Sequence, residues 1–81
     1  METKVAVVSI VVSKADKVEE INRLLHSASG FIIGRMGIPY PEKSVNLISV
    51  AIDAPEDVIC ALTRALEALE GVNAQAIFAN I

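Results

Sequence analysis

VAVVSIVV, residues Val5 to Val12, is a run of β-branched side chains interrupted only by Ala6 and Ser9. Valine and isoleucine fit a pleated surface and lose rotamer freedom in a helix, so the run predicts a strand. It is too apolar for an edge strand wetted on one side, and it reads as a central strand. Such a strand needs partners on both sides, and the rest of the chain supplies them.

Ser13-Lys14-Ala15-Asp16 follows as a turn, with Ser13 or Asp16 as candidate cap of a helix. Val18, Ile21, Leu24, Leu25 and Ala28 recur at three- and four-residue spacing, with Lys17, Glu19, Glu20, Asn22 and Arg23 on the other side. This predicts an amphipathic helix of about three turns. It ends at Ser29-Gly30, where Gly30 suits the left-handed cap conformation. Phe31 to Ile38 (FIIGRMGI) is a second strand whose glycines, Gly34 and Gly37, mark a bulge or a close backbone approach. Pro39 to Lys43 is expected to be an unpaired connection. Ser44 to Asp53 (SVNLISVAID) is a third strand, and Asp53-Ala54-Pro55-Glu56-Asp57 starts a second helix, with acidic residues at the positive end of its dipole. Val58, Ile59, Leu62, Leu66 and Leu69 form its apolar stripe, Gly71 ends it, and Val72 to Phe78 is the last strand.

The order βαββαβ is the split-βαβ unit: an α+β, ferredoxin-like sandwich of a four-stranded antiparallel sheet with two helices on one face. Right-handed crossovers place the first and third strands in the centre. With 81 residues the chain has room for one domain, residues 1–81, and one core. Chains this small bury only about 60% of their unfolded surface and usually need a disulfide, a metal or a partner. Cys60 and His26 are the only residues of their kinds, which excludes an internal disulfide and a thiolate cluster. Association is left.

Strand parity says where. Ala6, Val8, Ile10 and Val12, with Ile48, Val50 and Ile52, form the natural helix-facing set. The opposite parity holds Val5, Val7, Ser9, Val11, Val45, Leu47, Ser49 and Ala51, where a wetted face carries Lys, Glu, Thr or Arg. Val5, Val7, Val11, Val45 and Leu47 are therefore expected to face a partner chain. The alternative is a Val-rich strand pair that is apolar on both faces for stability alone.

Other residues speak mainly against chemistries. The formal charge of −3 argues against direct nucleic-acid binding, and the 4% aromatic content leaves few rings to stack bases. No apolar run approaches the roughly 20 residues of a membrane span. The first residues lack the basic region and cleavage site of a signal peptide, so a cytoplasmic location is expected. His26 has no ligand-type neighbour at helical spacing and reads as a surface residue near a helix C-terminus. Cys60 reads as a small core residue, although its place near a helix N-terminus favours a thiolate. No triad or carboxylate pair is available, so no catalytic residue, metal site or cofactor is assigned. Gly34-Arg35-Met36-Gly37-Ile38-Pro39-Tyr40 is the most unusual segment. Gly34, Arg35, Met36, Gly37 and Tyr40 are candidate ligand-binding residues, because Arg35 can hold a carboxylate or phosphate bidentately and Tyr40 offers a ring and a hydroxyl. A bulged edge strand with a solvated arginine is the equal alternative.

The stretch Ile32 to Tyr40, followed by Val45 to Asp53 and by Ala54-Pro55-Glu56-Asp57-Val58-Ile59, resembles the regulators of the iron-only (FeFe) hydrogenase system. The resemblance covers nearly the whole chain, and Gly34 to Tyr40 is its most specific part. It implies an ACT-like domain similar to the C-terminal domain of the nickel-responsive regulators, assembled as a dimer or tetramer. It also implies a link to hydrogenase maturation or expression in anaerobic bacteria. Those regulators add a DNA-binding segment and bind nickel through several histidines and a cysteine. Neither feature has a counterpart here, so nickel sensing is not carried over. The expected function is a regulatory, effector-binding homo-oligomer, not an enzyme. An adaptor that binds a hydrogenase-system protein without a small-molecule ligand is the alternative.

Overall fold

The computed structural model describes residues 2–81. Its elements are β1 (Lys4–Val12), α1 (Val18–Ser27), β2 (Ile32–Tyr40), β3 (Val45–Ala54), α2 (Glu56–Glu67) and β4 (Val72–Phe78), with short 3-10 turns before α1, β2 and β3. The sheet order is β2-β3-β1-β4, and every pairing is antiparallel. This is the expected ferredoxin-like arrangement, with β1 and β3 in the centre.

The period of two in β1 and β3 sorts their side chains except at the strand ends, where Lys4 is exposed and Asn46 only half-buried on the helix-facing parity. Ala6, Val8, Ile10 and Val12 are buried beneath the helices, as are Ile48, Val50, Ile52 and Ala54. Ile21 and Leu25 of α1, and Ile59, Leu62 and Leu66 of α2, close the layer above them. At about 1.5–3 kcal/mol for each fully buried aliphatic side chain, this layer is the main source of stability.

Three local expectations need correction. Neither Ser13 nor Asp16 caps α1; a 3-10 turn over Ala15–Lys17 leads into the helix, and the side chain of its N-cap, Lys17, makes no capping hydrogen bond. Ser13 works elsewhere: its N–H and its hydroxyl both donate to the Gly71 carbonyl, at 2.8 and 3.0 Å. Gly30 lies in the 3-10 turn Ser29–Phe31 and has no positive φ. The left-handed glycine is Gly71, at φ 78° after α2. Finally, β2 continues through Pro39 and Tyr40, which face Asn46 and Val45. Proline is tolerated there because β2 is an edge strand, where a missing N–H breaks no continuous ladder.

The bulge expected from the glycines is present. Ile32 faces Ile52 and Gly34 faces Ala51, so one extra residue, Ile33, is inserted between them. The other edge is guarded differently. The Ala74 N–H, on the outer side of β4, donates to the Glu67 carboxylate at the end of α2, and the Val72 N–H donates to the Leu69 carbonyl. At the start of β1, Lys4 Nζ lies 2.8 Å from Glu56 of α2. The hydrogen bond that Lys4 donates to Glu56, then the charge of Glu56, holds the Lys4 pKa above the ordinary 10.5.

Candidate functional site

Across the uncovered side of the sheet the register builds rows. Asn73, Val11, Leu47 and Ile38 lie side by side, as do Gln75, Ser9, Ser49 and Met36, then Ile77, Val7, Ala51 and Gly34. Tyr40 and Val45 pair at one end, and Val5 and Asp53 at the other. Ser9 and Ser49 therefore form a narrow polar belt between two apolar fields. Val7, Val11 and Leu47 are each about 40% exposed. Val5 and Val45 are half-buried by their strand neighbours alone. The five residues expected to face a partner thus share one surface, which none of the other described residues covers. A shallow depression of about 200 Å³ lies on it, between Val11, Met36, Ile38, Leu47 and the two serines.

This field is wider than the two central strands. Met36, Ile38 and Tyr40 of β2 and Ile77 of β4 extend it to both edges, all of them substantially exposed. Sequence reasoning placed Met36 and Tyr40 in a ligand site and left Ile38 and Ile77 unassigned. Strand alternation in β4 was the signal for Ile77. For β2 the bulge hides the signal, because one inserted residue reverses the parity of everything after it.

That reversal also divides the candidate ligand-binding residues. Gly34, Met36 and Tyr40 face Ala51, Ser49 and Val45 and belong to the open side. Arg35 and Gly37 face Val50 and Ile48, whose side chains are buried under the helices. Arg35 reaches toward α1, where its Nη2 donates to Asn22 Oδ1 at 2.9 Å. The five residues fall within the one short stretch Gly34 to Tyr40 and lie on two surfaces in space.

His26 is exposed in the last turn of α1. Cys60 is half-buried on α2 and unpaired. Among the described residues no three or more of His, Cys, Asp and Glu stand close enough to hold a metal ion. No described helix is long and apolar enough to cross a membrane.

Comparison with known proteins agrees with this architecture. An uncharacterized protein, TM1266 from Thermotoga maritima, superposes with a TM-score of 0.93 at 28% identity, over 98% of this chain and 100% of that one. A formyltetrahydrofolate deformylase from Pseudomonas putida KT2440 gives 0.69 at 13% identity, over 95% of this chain and 29% of that one. CPII, a nitrogen regulatory PII-like protein from Thiomonas intermedia K12 bound to ADP, AMP and bicarbonate, gives 0.53 at 19% identity, over 99% and 100%. The last two likenesses concern the fold alone. No curated protein sequence matches the chain. Residues 4–76 match the TM1266-like family, which carries the name of a proposed iron-only hydrogenase system regulator. That match runs from the start of β1 into β4, and the chain belongs to the TM1266-like family.

Proposed function

We propose that this chain is a regulatory, effector-binding domain of the iron-only hydrogenase system, and that its copies assemble through the open face of the sheet. The apolar field from Tyr40 and Ile38 to Val7 and Ile77 is the observation that carries the reading. Strand spacings give that face about 20 by 30 Å, or roughly 600 Å² per copy. Two copies would bury about 1,200 Å², the lower end of a stable interface. The edges favour this route over strand-to-strand pairing. Glu67 occupies an outer N–H of β4, while Pro39 and the bulge at Ile33 interrupt β2.

Regulation by binding also suits what the surface lacks. Its polar groups are the hydroxyls of Ser9, Ser49 and Tyr40, the amides of Asn73 and Gln75, and the lone carboxylate of Asp53 at one end, and no general acid and base stand together on it. The domain is accordingly read as a binding module and not an enzyme, with an effector held near Gly34 to Tyr40.

Sedimentation equilibrium at micromolar concentration tests the assembly. A dimer or tetramer is expected, and a monomer overturns it. A monomer that retains a hydrogenase-system protein from an anaerobe's extract would instead be an adaptor. Thermal-shift measurements with nucleotides, metals and small acids test the effector. Stabilisation by at least one is expected, and none across the panel counts against a small-molecule ligand.

A further inference from the structure

The geometry points to a binding site on the helix side of β2, and we propose that this cleft holds the carboxylate of a small molecule with Arg35 as its anchor. The proposal deepens the effector-binding reading and rests on it, but not on the assembly. It places the effector on the opposite side of the sheet from the proposed interface.

The cleft exists because two helices do not span four strands. Val72 and Ala74 at the start of β4 are buried beneath α2, whereas residues 33–40 of β2 are all exposed. A ledge is left beside α1, with a space of about 270 Å³. Val18 and Asn22 of α1 form one wall, Gly37 and Ile48 the floor, and Arg35 and Asn46 the polar rim. That volume lies at the small end of ligand pockets.

The electrostatics select the ligand. Arg35 forms none of the described ion pairs, which are Lys4–Glu56, Lys14–Glu70 and Lys17–Glu20. A neutral carbonyl holds it instead, that of Asn22. The guanidinium is thus oriented without being neutralised, and its remaining N–H groups are free to donate. With its Oδ1 accepting from Arg35, Asn22 presents its NH₂ as a further donor. No acidic residue lines the cleft. A planar fork of donors on a positive charge matches a carboxylate, and the apolar floor takes a short carbon chain.

Gly37 supplies an independent handle. Its φ is not positive, and a Cβ built on it meets nothing within 4 Å. Neither backbone conformation nor packing within the chain requires glycine there. A side chain at this position enters the cleft.

The test is an NMR titration of the ¹⁵N-labelled protein with acetate, succinate and glycolate, and with inorganic phosphate for comparison. At least one carboxylate is expected to shift the Asn22 and Asn46 side-chain amides and the Arg35 Nε signal saturably. Arg35→Gln should weaken that binding about tenfold, the loss of a charge-assisted pair. Gly37→Val should abolish it without lowering the melting temperature. Three results overturn the site: no carboxylate shifts those signals, the shifts survive both substitutions, or they fall at Met36 and Tyr40. The last would leave the effector reading standing at a different place. An equal response to phosphate would overturn the carboxylate assignment.

Discussion

Gly71 and Ser44 both sit in left-handed backbone, at φ 78° and 56°, for opposite local reasons. At Gly71 the fold requires glycine. A Cβ there would lie 2.6 Å from Lys14 Cγ, and the same residue's carbonyl takes both bonds from Ser13. Gly71→Ala should cost about 1–2 kcal/mol in urea unfolding, from the left-handed penalty plus displacement of Lys14. Ser44 ends the 3-10 turn before β3 and carries that penalty already. Ser44→Gly should therefore be neutral or stabilising by up to about 1 kcal/mol, since relief of strain offsets the added freedom of the unfolded chain. A loss at Ser44→Gly, or no loss at Gly71→Ala, would contradict this account. Lys4 gives a pH prediction. Its pKa is raised in the folded state by Glu56, so the pair stabilises below the ordinary 10.5 and ceases to do so as pH rises past the folded value. The stability difference between the wild type and Lys4→Met should be present at neutral pH and close in strong alkali. The side chain is solvent-exposed, so the difference is small. A difference that widened with alkalinity would have the wrong sign.

Among the elements, the two edge strands show how the sheet is kept from extending. β4 carries no charge and no proline over VNAQAIF, a composition that invites pairing with another chain. The Glu67 carboxylate on the Ala74 N–H is what blocks it. Glu67→Ala should expose that N–H, lower stability by about 1–3 kcal/mol and promote association through β4. Light scattering on warming would register it; unchanged scattering would mean that the edge is protected by something else. The strands of the centre are readable from alternation, because β1 and β3 each run between two other strands and only one face meets the helices. β2 is not. Its alternation is broken at an inserted residue, and nothing in IIGRMGIPY says whether Ile33 or a neighbour is the extra one. The end of β2 was also misread, since proline is a barrier only where a ladder bond is needed on both sides.

For the molecule as a whole, the predicted consequence of the open face is its sensitivity to charge. Leu47→Glu or Val11→Lys places a charge in the centre of the proposed interface, where it would be desolvated without a partner. Either should shift sedimentation toward monomer while circular dichroism keeps the native signature, because both side chains lie outside the buried core. Persistence of the oligomer in both variants would place the interface elsewhere. Val8→Ala is the contrasting case: Val8 is fully buried between sheet and helices. Its truncation should destabilise by about 1–3 kcal/mol through lost burial and an unfilled cavity.

Periodicity along the chain was sufficient to establish the βαββαβ order, the central pair β1 and β3, the helix-facing core and the apolar character of the opposite face. Each follows from a repeat of two or of about 3.6, together with the right hand of the crossovers for the central pair, and these repeats are properties of neighbouring residues. Folding in three dimensions was needed for the rest: the bulge at Ile33, the division of Gly34 to Tyr40 between two surfaces, the joining of Met36, Ile38 and Tyr40 to the open face, and the pairing of Arg35 with Asn22. The physical reason is the same in every case. A side chain's face on an edge strand depends on its register against the next strand, and register is set by contacts far apart in sequence, not by the local pattern.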